Sequence, residues 1–199
     1  MRENNEIWEE LEYQVSSCKR CKLCYTRKNS VFGEGNFGAT VMFVGEGPGD
    51  DEDNKGRPFV GKAGQLFDKI LQSVELNREE LFITNIVKCH PPRNRIPEES
   101  EIENCAEFLN AQIALINPKI IVAVGNVAAN FFLGDQTKLT ISKIRGESFY
   151  LDSGIIVVPI FHPSYLLRHA AVDEGSPKYL TWKDMLKIRD LYNEIRESV

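Results

Sequence analysis

Cysteine is the residue type in this chain with the clearest potential for chemistry. Cys18 and Cys21 lie near the N-terminus, and Cys89 and Cys105 follow far along the chain, each beside a polar stretch. Four thiolates from two distant segments are typical of one metal centre, either an iron–sulfur cluster or a zinc site. Unconnected thiols in a reducing compartment would give the same count. The fifth cysteine, Cys24, stands outside the two pairs.

A second set of candidate residues follows apolar runs of the sequence. Three glycines within residues 45–49 would let a ligand approach the backbone closely, but their spacing matches neither a dinucleotide loop nor a P-loop. Asn85 interrupts an apolar run, and a buried amide must find partners or bind a ligand. Phe59, next to Pro58, is either a core anchor or a stacking platform. His162 is either a structural residue or a catalytic one.

The elements that must position these groups alternate in type. Short β-branched apolar runs lie at 41–44, 81–87, 120–124 and 155–161. Helical patterns lie at about 4–16, 62–75, 98–116, 126–133 and 177–198. The alternation predicts an α/β fold of three layers, α/β/α, with a central, mainly parallel four-stranded sheet. Ligands of such sheets bind beyond the carboxyl ends of the strands, so we expect the candidate groups to meet at that edge.

The composition limits the classes of protein to which the chain can belong. With 199 residues and 42% hydrophobic content, the chain suits one domain over 1–199, in which about 1–40 form an N-terminal cluster-binding segment. The acidic start and the absence of a long apolar run predict a cytoplasmic protein with no membrane partner. A net charge of −5 argues against a broad, non-specific grip on nucleic acid. Basic residues nevertheless crowd the first cysteine pair: Lys19, Arg20, Lys22, Arg27 and Lys28.

Taken together, the motifs resemble those of the family 4 uracil-DNA glycosylases, the iron–sulfur branch of the uracil-DNA glycosylase superfamily. The match runs from about Cys18 to Arg168. It comprises, in order, Cys-x2-Cys, Phe-Gly-Glu-Gly-Asn at 32–36, Gly-Glu-Gly-Pro-Gly at 45–49, Gly-Arg-Pro-Phe-Val-Gly at 56–61, Thr-Asn-Ile-Val-Lys-Cys at 84–89, Pro-Pro at 91–92 before Asn-Arg at 94–95, Cys105, and His-Pro-Ser-Tyr-Leu-Leu-Arg at 162–168. The order and spacing of these motifs leave only a very small probability that the match arises by chance.

The resemblance implies a cofactor and a reaction. Cys18, Cys21, Cys89 and Cys105 occupy the places of the ligands of a structural [4Fe–4S] cluster, and Cys24 would be a spare thiol. Four thiolates could also hold zinc. The implied enzyme is a monofunctional uracil-DNA glycosylase of base excision repair. It would hydrolyse the N-glycosidic bond of deoxyuridine in single- or double-stranded DNA, after extruding the base into a pocket, to release uracil and leave an abasic site.

The resemblance also assigns residues to the base. Those around uracil would be Glu46, Gly47, Glu52, Phe59, Asn85 and His162. Phe59 would lie against the face of the ring, and Asn85 would read O4 and N3–H, which cytosine cannot match. Glu52 would stand near C5 and leave no room for the methyl group of thymine. Backbone amides around Glu46 and Gly47 would complete the cradle.

The catalytic candidates are Glu46, Asn85 and His162. By resemblance, His162 would donate a hydrogen bond to O2 of the departing uracil anion. The group that activates water is less settled, because Gly47 stands where related families carry an aspartate. Glu46 is the nearest candidate, and Asp53 or Glu52 could act through water.

The last matching motif would contact DNA. The residues of this loop are Tyr165, Leu166, Leu167 and Arg168. A leucine wedge would fill the vacated base stack, and Arg168 could reach a phosphate. The motif could equally be the start of an ordinary amphipathic helix. Two further functions stay open for a chain that we expect to be a monomer: a non-catalytic iron–sulfur nucleic-acid-binding module of the same fold, and a zinc-stabilised nucleotide-binding protein.

Overall fold

The structure is a computed structural model that describes residues 2–134 and 140–197, with side chains from residue 6 onward. Both ends of the predicted domain and the last residue of the predicted helix 177–198 lie outside the described residues. The strands are β1 (Glu34–Gly35), β2 (Val41–Gly45), β3 (Phe82–Asn85), β4 (Ile120–Val124), β5 (Phe149–Tyr150) and β6 (Ile156–Ile160). The helices are α1 (Arg2–Ser17), α2 (Asp50–Lys55), α3 (Lys62–Ser73), α4 (Glu99–Ile116), α5 (Asn126–Leu133), α6 (Ile141–Ile144), α7 (Pro163–Leu167) and α8 (Pro177–Glu197).

The strands form one sheet in the order β1-β3-β2-β4-β6-β5. The four inner strands are parallel and coincide with the four predicted apolar runs. The predicted α/β fold is therefore confirmed. Two short antiparallel strands, β1 and β5, are added at the edges. Each has two residues and lacks the β-branched run that marks the inner strands.

Side chains of the inner strands alternate between two apolar cores. In β2, Met42 and Val44 face the core that is shared with α1, α4 and α5. Val41 and Phe43 face the core that is shared with α3 and α8. Because both faces are covered, the inner strands are apolar along their whole length, as parallel strands usually are. The result is the predicted three-layer arrangement.

Local signals explain most helix boundaries. Before α4, the N–H of Glu98 donates to the carboxylate of Glu101 at 2.8 Å, and Asn117 ends the helix in the left-handed region. The N–H of Gly49 likewise donates to Glu52 at the start of α2. This helix was not predicted, because four successive acidic side chains resemble an exposed loop. No helix in the described part of the chain is long and apolar enough to cross a membrane.

Candidate active site and thiol centre

A pocket of about 370 Å³ opens at the carboxyl ends of the parallel strands. This volume is at the lower end of the range for small-molecule sites. All six residues that the sequence predicts around the base line it: Glu46, Gly47, Glu52, Phe59, Asn85 and His162. They come from the ends of β2, β3 and β6, from α2, and from the loop between α2 and α3. The parallel sheet is therefore what brings together groups that lie far apart in the sequence.

Asn85 is the last residue of β3, and it pairs in register with Gly45 at the end of β2. Its side chain is only 2% exposed. No hydrogen bond from its amide to any other described residue is found, although a buried amide without partners costs about 1–3 kcal/mol. A Cβ on Gly45 would stand 2.4 Å from Oδ1 of Asn85, so glycine is required beside this amide. The amide is held ready to bind a ligand in the pocket.

Phe59 forms an apolar wall of the pocket. Its backbone is in the left-handed region, with φ of 51°, a conformation that costs free energy and persists only where the surroundings impose it. Gly64 permits this conformation, because a Cβ there would lie 1.9 Å from the carbonyl oxygen of Phe59. The ring packs against Phe67 and lies 6.0 Å, centroid to centroid, from the ring of His162.

Glu52 is engaged with the backbone of the pocket loops. Its Oε1 accepts hydrogen bonds from the N–H groups of Val60 and Gly61 at 2.8 and 2.7 Å. Its Oε2 accepts one from Gly49 at 3.1 Å. One carboxylate thus ties the glycine loop after β2 to the loop that carries Phe59. Glu52 lines the pocket as a fixed wall.

His162 is separated from the end of β6 by one residue, Phe161, and it caps the N-terminus of α7. Its Nδ1 accepts a hydrogen bond from the N–H of Ser164 at 3.1 Å and contacts the hydroxyl of the same residue at 2.8 Å. A ring nitrogen that accepts from a backbone N–H carries no proton, so the proton of the neutral ring is on Nε2. Burial lowers the pKa of His162 to about 4. The ring is therefore a neutral donor at physiological pH.

Two of the three carboxylates considered for water activation can now be compared. Glu46 lies partly buried in the pocket lining, and burial raises the pKa of its carboxyl group. Asp53 is outside the lining, and its carboxylate accepts hydrogen bonds from the N–H groups of Lys28 and Asn29. Asp53 therefore fastens the N-terminal segment to α2. Glu46 has the better position for chemistry.

The predicted DNA-contacting residues begin in α7 and differ in exposure. Leu166 is fully buried and Leu167 is 48% exposed, so only the second can present its side chain to a partner. Tyr165 and Arg168 line the mouth of the pocket, where the guanidinium group lies 5.8 Å from the centre of the phenol ring. The motif does begin a short helix, and the same helix presents Leu167 at its exposed end.

Four polar residues of the lining were not predicted as site residues: Asn94, Arg95, Asn126 and Ser164. Asn126 follows the end of β4 at the same edge of the sheet, a position that could have identified it. Asn94 donates to Asp50 at 2.9 Å and contacts His90 at 3.0 Å. Arg95 forms a two-pronged ion pair with the buried Glu101, at 2.7 and 2.8 Å. This pair fixes the wall between the pocket and α4.

The four paired cysteines line a second, smaller cavity, together with Cys24. They come from the end of α1, the turn after it, the loop after β3, and α4. Among the described residues, no three His, Cys, Asp or Glu side chains converge closely enough to hold one metal ion. Thiols from four places in the chain that border one cavity are a donor set that either an iron–sulfur centre or a zinc ion uses.

Three cationic residues, Arg20, Arg27 and Lys88, line the thiol cavity together with Val15, Asn104 and Phe108. Burial raises the pKa of Cys89 to about 11, although Arg27 opposes the shift by donating to its Sγ at 2.9 Å. Burial also raises the pKa of Cys105. Lys88 is 1% exposed, and burial lowers its pKa to about 7 while the thiols of Cys105 and Cys89 act in the opposite direction.

The fold and the pocket define an α/β protein with a cleft of about 370 Å³ at the carboxyl ends of its parallel strands. The family model of the uracil DNA glycosylase superfamily matches residues 32–186. The chain belongs to this superfamily.

Several relatives carry the name type-4 uracil-DNA glycosylase. The protein of Thermotoga maritima is 48% identical over 82% of this chain and 85% of its own length. The protein of Sulfurisphaera tokodaii is 43% identical over 92% of this chain and 84% of its own length. The protein of Archaeoglobus fulgidus is 41% identical over 85% of this chain and 87% of its own length. These relatives confirm the resemblance to family 4.

Proposed function

We propose that this protein is a monofunctional uracil-DNA glycosylase of base excision repair. It hydrolyses the N-glycosidic bond of deoxyuridine in DNA, releases uracil and leaves an abasic site. The observation that carries the proposal is the buried amide of Asn85, which faces a pocket that also contains Phe59 and His162. Membership of the uracil DNA glycosylase superfamily and the names of the relatives support it.

The base must leave the duplex to enter such a pocket. Inside it, the ring of Phe59 covers one face of uracil, and the amide of Asn85 accepts from N3–H and donates to O4. Cytosine offers an amine and an unprotonated N3 at these positions, so it would leave buried groups unpaired and be rejected strongly. The wall that Glu52 braces keeps the C5 side narrow, which disfavours the methyl group of thymine.

Bond cleavage leaves negative charge on uracil, part of it on O2. His162 is suited to stabilise this charge because its Nε2 carries the proton and its Nδ1 is fixed by Ser164. A preorganised donor of this kind contributes about 3–4 kcal/mol to lowering a barrier. Glu46 would accept a proton from the water that attacks C1′ of the sugar. No lysine is among the described residues that line the pocket, so the abasic product would stay intact.

A [4Fe–4S] cluster held by Cys18, Cys21, Cys89 and Cys105 would serve as a structural centre. Ligation of this kind cross-links segments, and hydrolysis of a glycosidic bond requires no redox chemistry. The thiols would join the end of α1 and the turn after it to the loop after β3 and to α4. This loop continues through Pro91 and Asn94 into the lining of the pocket. Cys24 borders the same cavity without a ligand role.

DNA would be held at the mouth of the pocket by a few residues. The exposed Leu167 is the candidate wedge, because the neighbouring Leu166 is buried. Arg168 could reach a phosphate next to the extruded nucleotide. Such local contacts are compatible with the net charge of −5. We propose that the enzyme acts as a monomer on single- and double-stranded DNA, which sedimentation of the free protein would check.

The deciding experiment uses an oligonucleotide with one uracil, incubated with excess protein and then cleaved with alkali at abasic sites. We expect strand cleavage with uracil and none with thymine or cytosine at the same position. Asn85→Ala and His162→Ala should each reduce the single-turnover rate by about 100- to 1000-fold. The visible absorption of the cluster should be unchanged in both variants.

Three results would contradict parts of the proposal. Absence of strand cleavage by the wild-type protein at enzyme excess would exclude the glycosylase and favour a non-catalytic nucleic-acid-binding module. Zinc without iron in the purified protein would exclude the cluster. Loss of absorption together with loss of activity in both variants would mean that Asn85 and His162 are structural residues.

A further inference from the structure

The chain contains a fully buried lysine that the reaction does not use. Lys88 is 1% exposed and pairs with no carboxylate among the described residues. Its Nζ instead donates to three oxygen atoms, all at 2.7 Å: Oγ1 of Thr84, Oε1 of Gln112 and the main-chain carbonyl oxygen of Asn85. Three acceptors match the three N–H groups of an ammonium. Because each of its three N–H groups has an acceptor, the ammonium group of Lys88 is held in one position in the core.

The acceptors around the ammonium are themselves oriented. The hydroxyl of Thr84 donates to the carbonyl oxygen of Phe32 at 2.8 Å, so its lone pairs remain for Lys88. The amide nitrogen of Gln112 donates to the same carbonyl oxygen at 2.9 Å, which turns its Oε1 towards Lys88. All members of this network are thereby satisfied, a condition under which buried polar networks make a core rigid.

The hydrogen bond from Lys88 to Asn85 takes the place of one from a neighbouring strand. The edge strand β1 pairs with β3 only at Phe82 and Ile83, two residues before Asn85. The carbonyl oxygen of Asn85 therefore has no strand partner on that side, and a buried carbonyl group without a partner is costly. Lys88 supplies the hydrogen bond. It fixes the peptide plane from which the base-reading amide of Asn85 projects.

The other end of Lys88 belongs to the thiol centre. Its main-chain N–H donates to Sγ of Cys105 at 3.3 Å, and the next residue is Cys89. Its carbonyl oxygen accepts from the N–H of Val31 at 2.7 Å. One residue thus contacts two of the four cysteines with its backbone and the end of β3 with its side chain.

We propose that Lys88 is a positioning residue for uracil recognition, which connects the assembled cysteine centre to the peptide of Asn85. The inference rests on the proposed function, and it adds a task to the structural centre. Assembly of the thiols fixes the backbone of residues 88 and 89. The hydrogen bond from the ammonium group of Lys88 to the carbonyl oxygen of Asn85 then fixes the end of β3, where the base-reading amide lies. Base affinity should then depend on Lys88, whereas the grip on the DNA backbone should not.

The test compares Lys88→Met with the wild-type protein by four measurements: iron content with visible absorption, the inhibition constant of free uracil, the single-turnover rate on uracil-containing DNA, and the Kd for DNA with an abasic-site analogue. We expect full iron content, an inhibition constant about tenfold higher and a rate about tenfold lower. The Kd for the abasic-site DNA should stay within about twofold.

Thr84→Val is the matched control, because it removes another acceptor of the same ammonium and leaves the contact with Asn85. It should lower the thermal midpoint but keep the inhibition constant of uracil within about twofold. Equal weakening of uracil binding in both variants would overturn the proposal, because any damage to the network would then suffice. Unchanged uracil inhibition in Lys88→Met would overturn it as well.

If Lys88→Met does not assemble its iron, the milder Lys88→Gln, which keeps a donor, is measured in the same way. Failure of both to assemble would also overturn the proposal, since Lys88 would then be a requirement of the centre itself. The wild-type protein in the same assay separates this inference from the proposed function. An inactive wild type refutes the glycosylase, whereas an active wild type with an unaffected Lys88→Met refutes only the role of Lys88.

Discussion

Gly45, a residue without a side chain, controls the position of Asn85. A Cβ at this position would stand 2.4 Å from Oδ1 of Asn85 and 2.8 Å from Cζ of Phe59. Gly45→Ala should therefore displace the reading amide and the apolar wall together. We expect a loss of at least 100-fold in the single-turnover rate and of about 1–3 kcal/mol in the free energy of unfolding, measured by denaturant titration.

Gly38→Ala is the control for this substitution. Its nearest neighbour would be Oδ1 of Asn36 at 3.5 Å, an ordinary contact, so rate and stability should stay close to those of the wild type. An active Gly45→Ala would show that the amide can read the base from a shifted position. In that case the register of β2 and β3, which places Gly45 beside Asn85, would not determine base recognition.

The pH dependence of excision should report Glu46 and not His162. Burial lowers the pKa of His162 to about 4, so the ring stays neutral from pH 8 down to about pH 5. Burial raises the pKa of Glu46, and a protonated carboxyl group cannot accept a proton from water. The single-turnover rate should show no inflection at the ordinary histidine pKa of about 6.5 and should fall on the acid side as the pH passes through the raised pKa of Glu46. A Glu46→Gln variant should be slow and should lose this acid limb.

The lowered pKa of His162 also has a consequence for the stability of the folded protein. An unfolded chain protonates histidine near pH 6.5, whereas the folded protein resists protonation of His162 until about pH 4. The neutral ring makes its full contribution to the free energy of unfolding above pH 6.5, and this contribution is lost as the pH falls towards 4. An inflection of the excision rate at pH 6.5 that disappears in His162→Ala would contradict the neutral donor.

Single residues also show how far sequence patterns reach. The six pocket residues could be predicted because motifs with fixed spacing carry them. Lys88 could not, because a lysine between Val87 and Cys89 indicates an exposed position, and only the fold shows three oxygen atoms around its ammonium group. Leu166 and Leu167 look equivalent in the sequence, and their opposite exposure follows from the turn of α7.

At the scale of elements, α7 separates a structural leucine from a DNA-contacting one. Leu167→Ala should leave the thermal midpoint unchanged, because its side chain is 48% exposed. It should lower the excision rate on duplex DNA by about tenfold, since the wedge no longer fills the gap in the base stack. Single-stranded DNA has no such gap, so its rate should hardly change. Parallel assays on both substrates make the comparison.

Leu166→Ala is the counterpart, because its side chain is fully buried. It should reduce the free energy of unfolding by about 3 kcal/mol through lost contacts and the cavity left behind. If Leu167→Ala slowed both substrates equally, the wedge would be the wrong role for this residue.

Elements differ in how well their sequence predicts them. The inner strands have continuous apolar runs and the helices α3, α4 and α5 have periodic apolar patterns, and their bounds agree with prediction within a few residues. The acidic α2 has no such pattern. Its start depends on the contact of Gly49 with Glu52, and the same carboxylate then reaches Val60 and Gly61, a tertiary contact that local sequence does not contain.

At the scale of the whole molecule, the proposed thiol centre would join the end of α1 and the turn after it to the loop after β3 and to α4. Cys18→Ser should lose iron and lower the thermal midpoint by roughly 10 °C, because α1 and the turn after it would no longer be fastened to α4. Metal analysis and thermal unfolding monitored by circular dichroism measure the two effects.

Cys24→Ser is the matched control from the same cavity. It should keep the iron content and the midpoint of the wild type, since the four paired cysteines suffice as ligands. Iron loss in Cys24→Ser, or full iron in Cys18→Ser, would show that the ligand set differs from the one proposed.

The two-residue strands β1 and β5 have a consequence for the behaviour of the protein in concentrated solution. A sheet edge with a long row of free backbone groups can pair with another chain and start aggregation. Here both edges of the sheet are formed by antiparallel strands of only two residues. A second copy of the chain would find too little regular backbone to extend the sheet, so the apolar parallel strands are shielded from intermolecular β-pairing.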